Sequence, residues 1–119
     1  MHLTISKRFD FESSHRLAVN GWSEEQNLAF YGREGSSPHG HGHNFSAYFV
    51  FEGPVEEDTG MMINVVVIKD KVKSMIDQRY DHKYINGETP PFDIIVPSPE
   101  NLARQLLNDT MPLFEGMSA

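Results

Sequence analysis

The sequence contains no cysteine among its 119 residues. This absence excludes disulfide bonds, thiolate zinc ligands and a thiol nucleophile. Any metal bound by this chain must therefore be held by histidine and carboxylate side chains. Three neutral imidazoles with an open fourth position are typical of catalytic zinc rather than of closed structural zinc.

Long hydrophobic runs and an excess of positive charge are also missing. No apolar run approaches the roughly 20 residues needed to span a bilayer, and the N-terminus lacks the basic and apolar regions of a secretory signal. We therefore expect a soluble, cytoplasmic protein that does not act at a membrane. The net charge of −7 argues against a nucleic-acid-binding surface, although a small anionic ligand needs only a few focused positive charges.

The length and composition predict a single domain, residues 1–119. A chain of this size with 39% hydrophobic residues can bury one core. Alternating apolar and polar residues predict a half-buried strand over 3–12 and a second strand over 45–51. A short third strand is expected at 61–63, after a turn.

Two helices are predicted in the second half of the chain. An amphipathic helix follows Asn64, and another begins at Ser98 as N-cap with Pro99 in the first helical position, ending near Met111. The stretch 17–38 is rich in polar residues and glycine, and we interpret it as a long irregular excursion tied to function.

Three histidines alternate with glycine at His39, His41 and His43. In a strand, alternate side chains share one face roughly 7 Å apart, so that two of these imidazoles can bind one metal ion. The spacing alone allows either pair, and a solvated histidine-rich loop is the alternative. Gly40 and Gly42 leave the opposite face bare, so another group can approach the backbone there.

Six motifs in order along nearly the whole chain resemble those of the 6-pyruvoyltetrahydropterin synthase family, which includes 6-carboxytetrahydropterin synthases. They are Phe11–Leu17, Tyr31–Arg33, Gly40–Phe45, Asp58–Met61, Tyr80–Asn86 and Ser98–Ala103. Each motif is weak alone, whereas six at compatible spacings are a specific signal.

The resemblance implies an α+β tunnelling fold. In this fold a four-stranded antiparallel sheet carries two helices on one face, and three subunits close a barrel. Two such trimers stack into a hexamer, with active sites between subunits. We therefore expect a homo-oligomer, either a trimer or a hexamer, that binds a small pterin substrate. Ring closure also covers the open edges of so small a sheet.

The resemblance also implies the site residues. The zinc ligands carried over from the motifs are His15, His41 and His43. His39 is then a loop residue. Asp81 and His82 match the catalytic pair, in which a carboxylate fixes the tautomer of an imidazole and raises its basicity. The alternative is a helix-end capping pair.

The chain departs from the family at the position of the general base. Most members have a cysteine after the Tyr-Gly-Lys or Tyr-Gly-Arg motif, and this chain has Glu34. A subclass with glutamate there cleaves the side chain of 7,8-dihydroneopterin triphosphate, leaving 6-hydroxymethyl-7,8-dihydropterin for folate synthesis. We expect such a zinc-dependent lyase. The alternatives are 6-pyruvoyl- or 6-carboxytetrahydropterin synthesis, or a non-catalytic pterin- and zinc-binding relative with Glu34 as a solvated carboxylate.

A second departure concerns the C-terminus. Family members continue past the second helix into a strand whose glutamate anchors the pterin, and this sequence ends at Ala119. We expect that strand to be absent and assign no residue to its role. Ser98 is expected to contact the pterin, although capping the helix would also explain a serine there.

Overall fold

The structure, a computed structural model, describes residues 2–117 and 119. Its elements in chain order are strand β1 (His2–His15), helix α1 (Glu24–Gly35), strand β2 (His41–Pro54), helices α2 (Val65–Arg79), α3 (Ile85–Glu88) and α4 (Pro99–Thr110), and a 3-10 turn (Met111–Phe114). The architecture is α+β with an antiparallel sheet, as expected.

Strands β1 and β2 pair along their entire lengths. The register runs from His2 opposite Pro54 to His15 opposite His41. The molecule is correspondingly long, with principal extents of 60 × 23 × 20 Å. The strands are joined not by a tight turn but by residues 16–40, which lie at the histidine-bearing end.

The core lies between one face of this hairpin and helices α2 and α4. Odd-numbered strand residues point to this face because side chains alternate along a strand. Helix α2 contributes a buried stripe at three- and four-residue spacings, typical of an amphipathic helix. The principal buried side chains are Phe11, Phe49, Phe51, Ile68, Val72, Ile76, Tyr80, Leu102 and Leu106.

The two predicted helices are confirmed with their N-caps. The Asn64 side chain accepts a hydrogen bond from Val66 N–H, and the Ser98 hydroxyl accepts one from Asn101 N–H. Each cap satisfies an N–H that has no partner inside its helix. Helix α4 ends at Thr110, where the chain tightens into the 3-10 turn.

The interpretation of 17–38 as irregular is wrong, because this stretch contains helix α1. Ser23 and Gln26 form a capping box, each side chain bonding to the other's main-chain N–H. Glu24 and Glu25 occupy the first turn, where carboxylates favour the helix dipole. Gly32 interrupts the helix with a φ of 82°, and this kink explains why the sequence shows no continuous periodicity.

The predicted third strand at 61–63 is also wrong. These residues form a bend whose backbone bonds locally, with Glu56 N–H donating to the Met61 carbonyl and Met61 N–H donating to the Thr59 hydroxyl. Strand β2 instead runs from His41 to Pro54, so it extends beyond both ends of the strand predicted over 45–51. Over residues 2–117 and 119, the sheet therefore has two strands rather than the four implied by the resemblance.

Within the part of the chain that the structure covers, no helix has both the length and the apolar character required to cross a membrane.

Tyr80 joins the sheet to both long helices just before the Asp81–His82 pair. Its fully buried ring lies beside Phe11, and its hydroxyl donates to Asp109 at 2.5 Å. Its carbonyl accepts a hydrogen bond from the Ser13 hydroxyl. Burial and the neighbouring carboxylate raise the pKa of Tyr80 well above its usual value.

Removing this hydroxyl should destabilise the fold. In Tyr80→Phe, Asp109 loses a donor but keeps Arg79 and Gln105. We expect the free energy of unfolding to fall by about 1–2 kcal/mol. Urea denaturation measures the change, with Tyr48→Phe as the control because Tyr48 is 64% exposed. Equal stability of the two variants would contradict the assigned role of the hydroxyl.

Candidate active site

Three histidines converge at the connected end of the hairpin. His15 lies directly opposite His41, and His43 follows two residues later on the same face of β2. One ring nitrogen from each histidine lies within 4.8 Å of the others, and the ring centroids are 4.5–5.0 Å apart. A cluster of this kind is suited to hold one metal ion, and imidazole nitrogen is a usual ligand of zinc.

His39 does not join this group. It is exposed and precedes β2, and Gly40 lies between it and the strand with a φ of 79°. This left-handed residue turns the chain, so the strand alternation that relates His41 to His43 does not extend back to His39. The structure therefore brings His43, and not His39, beside His15 and His41.

A main-chain carbonyl orients the ring of His15. Its Nδ1 donates to the Pro97 carbonyl oxygen at 2.8 Å, which leaves the lone pair on Nε2. Burial is the main cause that lowers the pKa of His15 to about 4, opposed by this hydrogen bond and assisted by the other two histidines. At neutral pH the ring is therefore uncharged, and a metal ion would not have to displace a proton from it.

His41 carries an unsatisfied polar atom. Its Nδ1 is buried without a hydrogen-bond partner, which holds for no other buried side-chain nitrogen or oxygen in the described residues. Burial, and then His43, lowers the pKa of His41, with a smaller opposing effect from nearby Glu34. A buried, uncharged nitrogen with no partner is costly unless something coordinates it. The three residues thus fit a metal ion held by imidazole.

Asp81 and His82 form a hydrogen-bonded pair. Asp81 Oδ2 lies 2.9 Å from His82 Nδ1, while Asp81 Oδ1 accepts from the main-chain N–H of Glu12 at 2.9 Å. The Glu12 N–H is the largest cause that lowers the pKa of Asp81, followed among the lowering effects by His82. The carboxylate is therefore ionised at neutral pH and holds the imidazole by one nitrogen.

The pair lies at the edge of β1 that does not pair with β2. His82 Nε2 is 3.7 Å from the Glu12 carboxylate, and Glu12 points to the opposite side of the sheet from His15 by strand alternation. The His82 side chain is 74% exposed, in an open cleft of about 550 Å³ that is also lined by Glu12, His43 and Asn44. A reacting molecule can reach the free nitrogen from solvent.

Glu34 and Ser98 flank the histidine group. Glu34 is exposed near the end of α1, close enough to His41 to affect its pKa. Ser98 follows Pro97, the residue that orients His15, and its hydroxyl caps α4. Sequence reasoning missed two contributors to the site. The carbonyl of Pro97 has no sequence signal, whereas Glu12 was visible as an acidic residue three positions before His15.

The sequence is similar to those of several known proteins. Residues 4–118 match the sequence model of a family described as 6-pyruvoyl tetrahydropterin synthase. The 6-pyruvoyl tetrahydrobiopterin synthases of Pongo abelii and Homo sapiens are 36% and 35% identical over 99 residues, which are 83% of this chain and 68% of each relative. A 6-carboxy-5,6,7,8-tetrahydropterin synthase of Rickettsia bellii is 23% identical, covering 95% of this chain and 84% of that protein.

The fold has a close structural counterpart. The 6-pyruvoyl tetrahydropterin synthase of Caenorhabditis elegans superposes with a TM-score of 0.88 and 24% identity, covering this whole chain and 81% of the other. The resemblance seen in the six motifs is thereby confirmed. On the match over residues 4–118 and the 36% identity, this chain belongs to the 6-pyruvoyl tetrahydropterin synthase family of pterin synthases and lyases.

Proposed function

We propose that this protein is a zinc-dependent lyase that cleaves the side chain of 7,8-dihydroneopterin triphosphate to give 6-hydroxymethyl-7,8-dihydropterin. The observation that carries the proposal is the position of Glu34 near His41, one of three clustered histidines, in a chain without cysteine. A thiol base is excluded, and a carboxylate occupies the place where the family motif has the thiol. Glutamate is a common general base in proteins.

His15, His41 and His43 would hold the zinc ion. The set of three imidazoles leaves a position open, which is the arrangement of catalytic zinc. When bound there, zinc would supply a Lewis acid that lowers the pKa of the substrate's side-chain hydroxyls. The Pro97 carbonyl keeps the His15 ring in the tautomer required for this role.

The protein's own groups would carry the proton transfers. Glu34 removes a proton from the second side-chain hydroxyl, and the bond between the first and second side-chain carbons breaks, releasing a triphosphorylated two-carbon aldehyde. The conjugated pterin takes up the electron pair until a proton is returned to the first carbon. His82, held by Asp81, is the donor of that proton. Ser98 would contact the pterin.

The edge position of His82 favours a site shared between subunits. The pair lies at the edge of β1 that does not pair with β2, where a neighbouring copy would approach the sheet, so His82 would serve the histidine group of that copy. A hairpin with open edges and a site divided in this way requires assembly. We therefore propose a trimer or hexamer as the active form.

A second candidate is 6-pyruvoyl- or 6-carboxytetrahydropterin synthesis. It is favoured by the names of the relatives in Pongo abelii and Rickettsia bellii. It would start from the same substrate at the same histidine group, with the protons removed from different positions. A non-catalytic zinc- and pterin-binding relative is the candidate of another class, and it is the outcome if no product forms.

The first prediction concerns the metal. His41→Ala should weaken zinc binding by more than about 100-fold, because it removes a ligand. Losing a residue that only hydrogen-bonds to a ligand typically weakens metal binding by about 10–100-fold. His39→Ala is the matched control and should keep about one zinc per subunit, as measured by mass spectrometry of the metal content. Stoichiometric zinc in a His41→Ala, His43→Ala double variant would refute the ligand assignment.

The second prediction concerns the reaction. Zinc-loaded protein incubated with 7,8-dihydroneopterin triphosphate should yield 6-hydroxymethyl-7,8-dihydropterin, identified by mass. Glu34→Gln keeps the size of the side chain but removes its basicity, so turnover should fall by about 10²-fold or more with zinc content unchanged.

Glu25→Gln is the control for this reaction, since Glu25 is exposed at the other end of α1. It should leave turnover unchanged. Glu34→Cys tests the second candidate, because a thiolate in this position should redirect the product toward the 6-pyruvoyl or 6-carboxy compound. Wild-type turnover in Glu34→Gln would show that Glu34 is not the base.

The third prediction concerns assembly. Light scattering should report three or six subunits for the purified protein, because each histidine group would need the Asp81–His82 pair of a neighbour. Mixing inactive His41→Ala chains with inactive His82→Ala chains should restore part of the activity, since mixed sites then contain both halves. A fully active monomer would contradict the shared site.

A further inference from the structure

The segment Asp81–Asn86, here named the edge segment, lies along the edge of β1 that faces away from β2. His82 N–H donates to the Glu12 carbonyl at 2.6 Å, and Ser14 N–H donates to the Lys83 carbonyl at 3.0 Å. Ser14 and Tyr84 form a parallel bridge. The segment thus takes the place of a third strand over the last residues of β1.

Side chains complete this pairing at both ends of the edge segment. At one end, Asp81 accepts from Glu12 N–H. At the other end, the Asn86 carboxamide accepts from Arg16 N–H at 2.8 Å and donates to the Arg16 carbonyl at 2.9 Å. One planar side chain therefore satisfies both main-chain groups of the residue that follows His15.

Arg16 extends this connection to the loop that carries Glu34. Its Nε donates to the Ser36 carbonyl at 3.0 Å, and Leu17 N–H donates to the Gly35 carbonyl at 2.7 Å. The end of β1 is therefore bonded on one side to the edge segment and on the other to the residues that follow Glu34.

The edge segment also contacts the start of β2. The Tyr84 ring packs over Gly40, where an added Cβ would lie 2.9 Å from Tyr84 Cε1. A glycine is needed here both for its φ of 79° and for this close approach. The bare backbone expected at Gly40 is thus filled by a side chain of the edge segment.

We propose that Asn86 is a positioning residue for the Asp81–His82 pair. Its carboxamide holds the far end of the edge segment against the main chain of Arg16. His82 therefore lies at a fixed position along β1 and at a fixed distance from the histidine-bearing end of the hairpin. The His82 side chain is exposed, and within the described residues its ring is held by one hydrogen bond, to Asp81, with the Glu12 carboxylate 3.7 Å away. Its placement therefore depends on the backbone that carries it.

The chemistry of the contact requires an amide. Aspartate in this place offers acceptors only, so that one oxygen would face the Arg16 carbonyl and repel it. Alanine leaves both main-chain groups of Arg16, a half-buried residue, without this partner, which destabilises the contact wherever water cannot replace it. The two substitutions perturb the same contact through different chemistry.

The test uses the full-length, zinc-loaded protein with Asn86→Asp and Asn86→Ala. Amide hydrogen exchange of Ser14, Arg16 and His82 should accelerate by about 10-fold or more, whereas the amides that pair β1 with β2 should be unchanged. On the proposed function, kcat should fall by about 10–10²-fold with KM changed by less than about 2-fold, because the proton donor is displaced while substrate contacts remain. Zinc content should stay at that of the wild type.

The control variants are Asn108→Asp and Asn108→Ala, which make the same chemical changes at an exposed position of α4. They should leave both exchange and turnover unchanged. Unchanged exchange at His82 in both Asn86 variants would overturn the inference, as would wild-type kcat despite accelerated exchange.

The two proposals fail in different ways. The catalytic part of this inference rests on the proposed function, which fails if the wild type gives no product from the pterin triphosphate. Amide hydrogen exchange at His82 does not involve the substrate. Even if the proposed function fails, this measurement decides whether Asn86 holds the Asp81–His82 pair in place. A general loss of structure would be seen as faster exchange across β1 and β2 as well, and this result would also overturn the specific role.

Discussion

Pairing of β1 with β2 in a single register places His15 opposite His41, and much of the site follows from that register. A slip of one residue would turn every side chain of one strand to the other face. His43 would then leave the histidine group, and Phe49 would leave the core. The register is fixed because the same strand face buries aromatic side chains along most of its length, so the core and the histidine group are specified together.

Burial has opposite consequences for the two groups of ionisable residues. Burial lowers the pKa of His15 and of His41, which suits metal ligands but leaves His41 Nδ1 unsatisfied. Asp81 lies nearer the surface and keeps its charge, because a main-chain N–H of β1 bonds to one of its oxygens. One carboxylate oxygen of Asp81 thus bonds to the main chain of β1, and the other bonds to the imidazole of His82. Both hydrogen bonds require Glu12 and His82 to lie next to Asp81.

The elements that the sequence predicted are those with strong local signals. Helices α2 and α4 have N-caps and apolar stripes that do not depend on the rest of the chain, and both strands show alternation. Helix α1 was missed although its capping box is visible in the sequence, since the kink at Gly32 breaks its periodicity. The error at 61–63 has another cause. A short apolar run does not distinguish a strand from a buried bend, and only long-range contacts decide between them.

The sequence by itself determined which chemistry is available: no thiol, several imidazoles, an Asp-His pair and six family motifs in order. It left open which histidines come together, because His39, His41 and His43 have the same spacing. The tertiary structure decided this. The strand begins at His41, after the turn at Gly40, so His39 lies outside it, and the register places His41 opposite His15. The contacts of Pro97, Glu12 and Asn86 also belong to the fold alone. They join residues more than 60 positions apart, and no local pattern encodes such pairs.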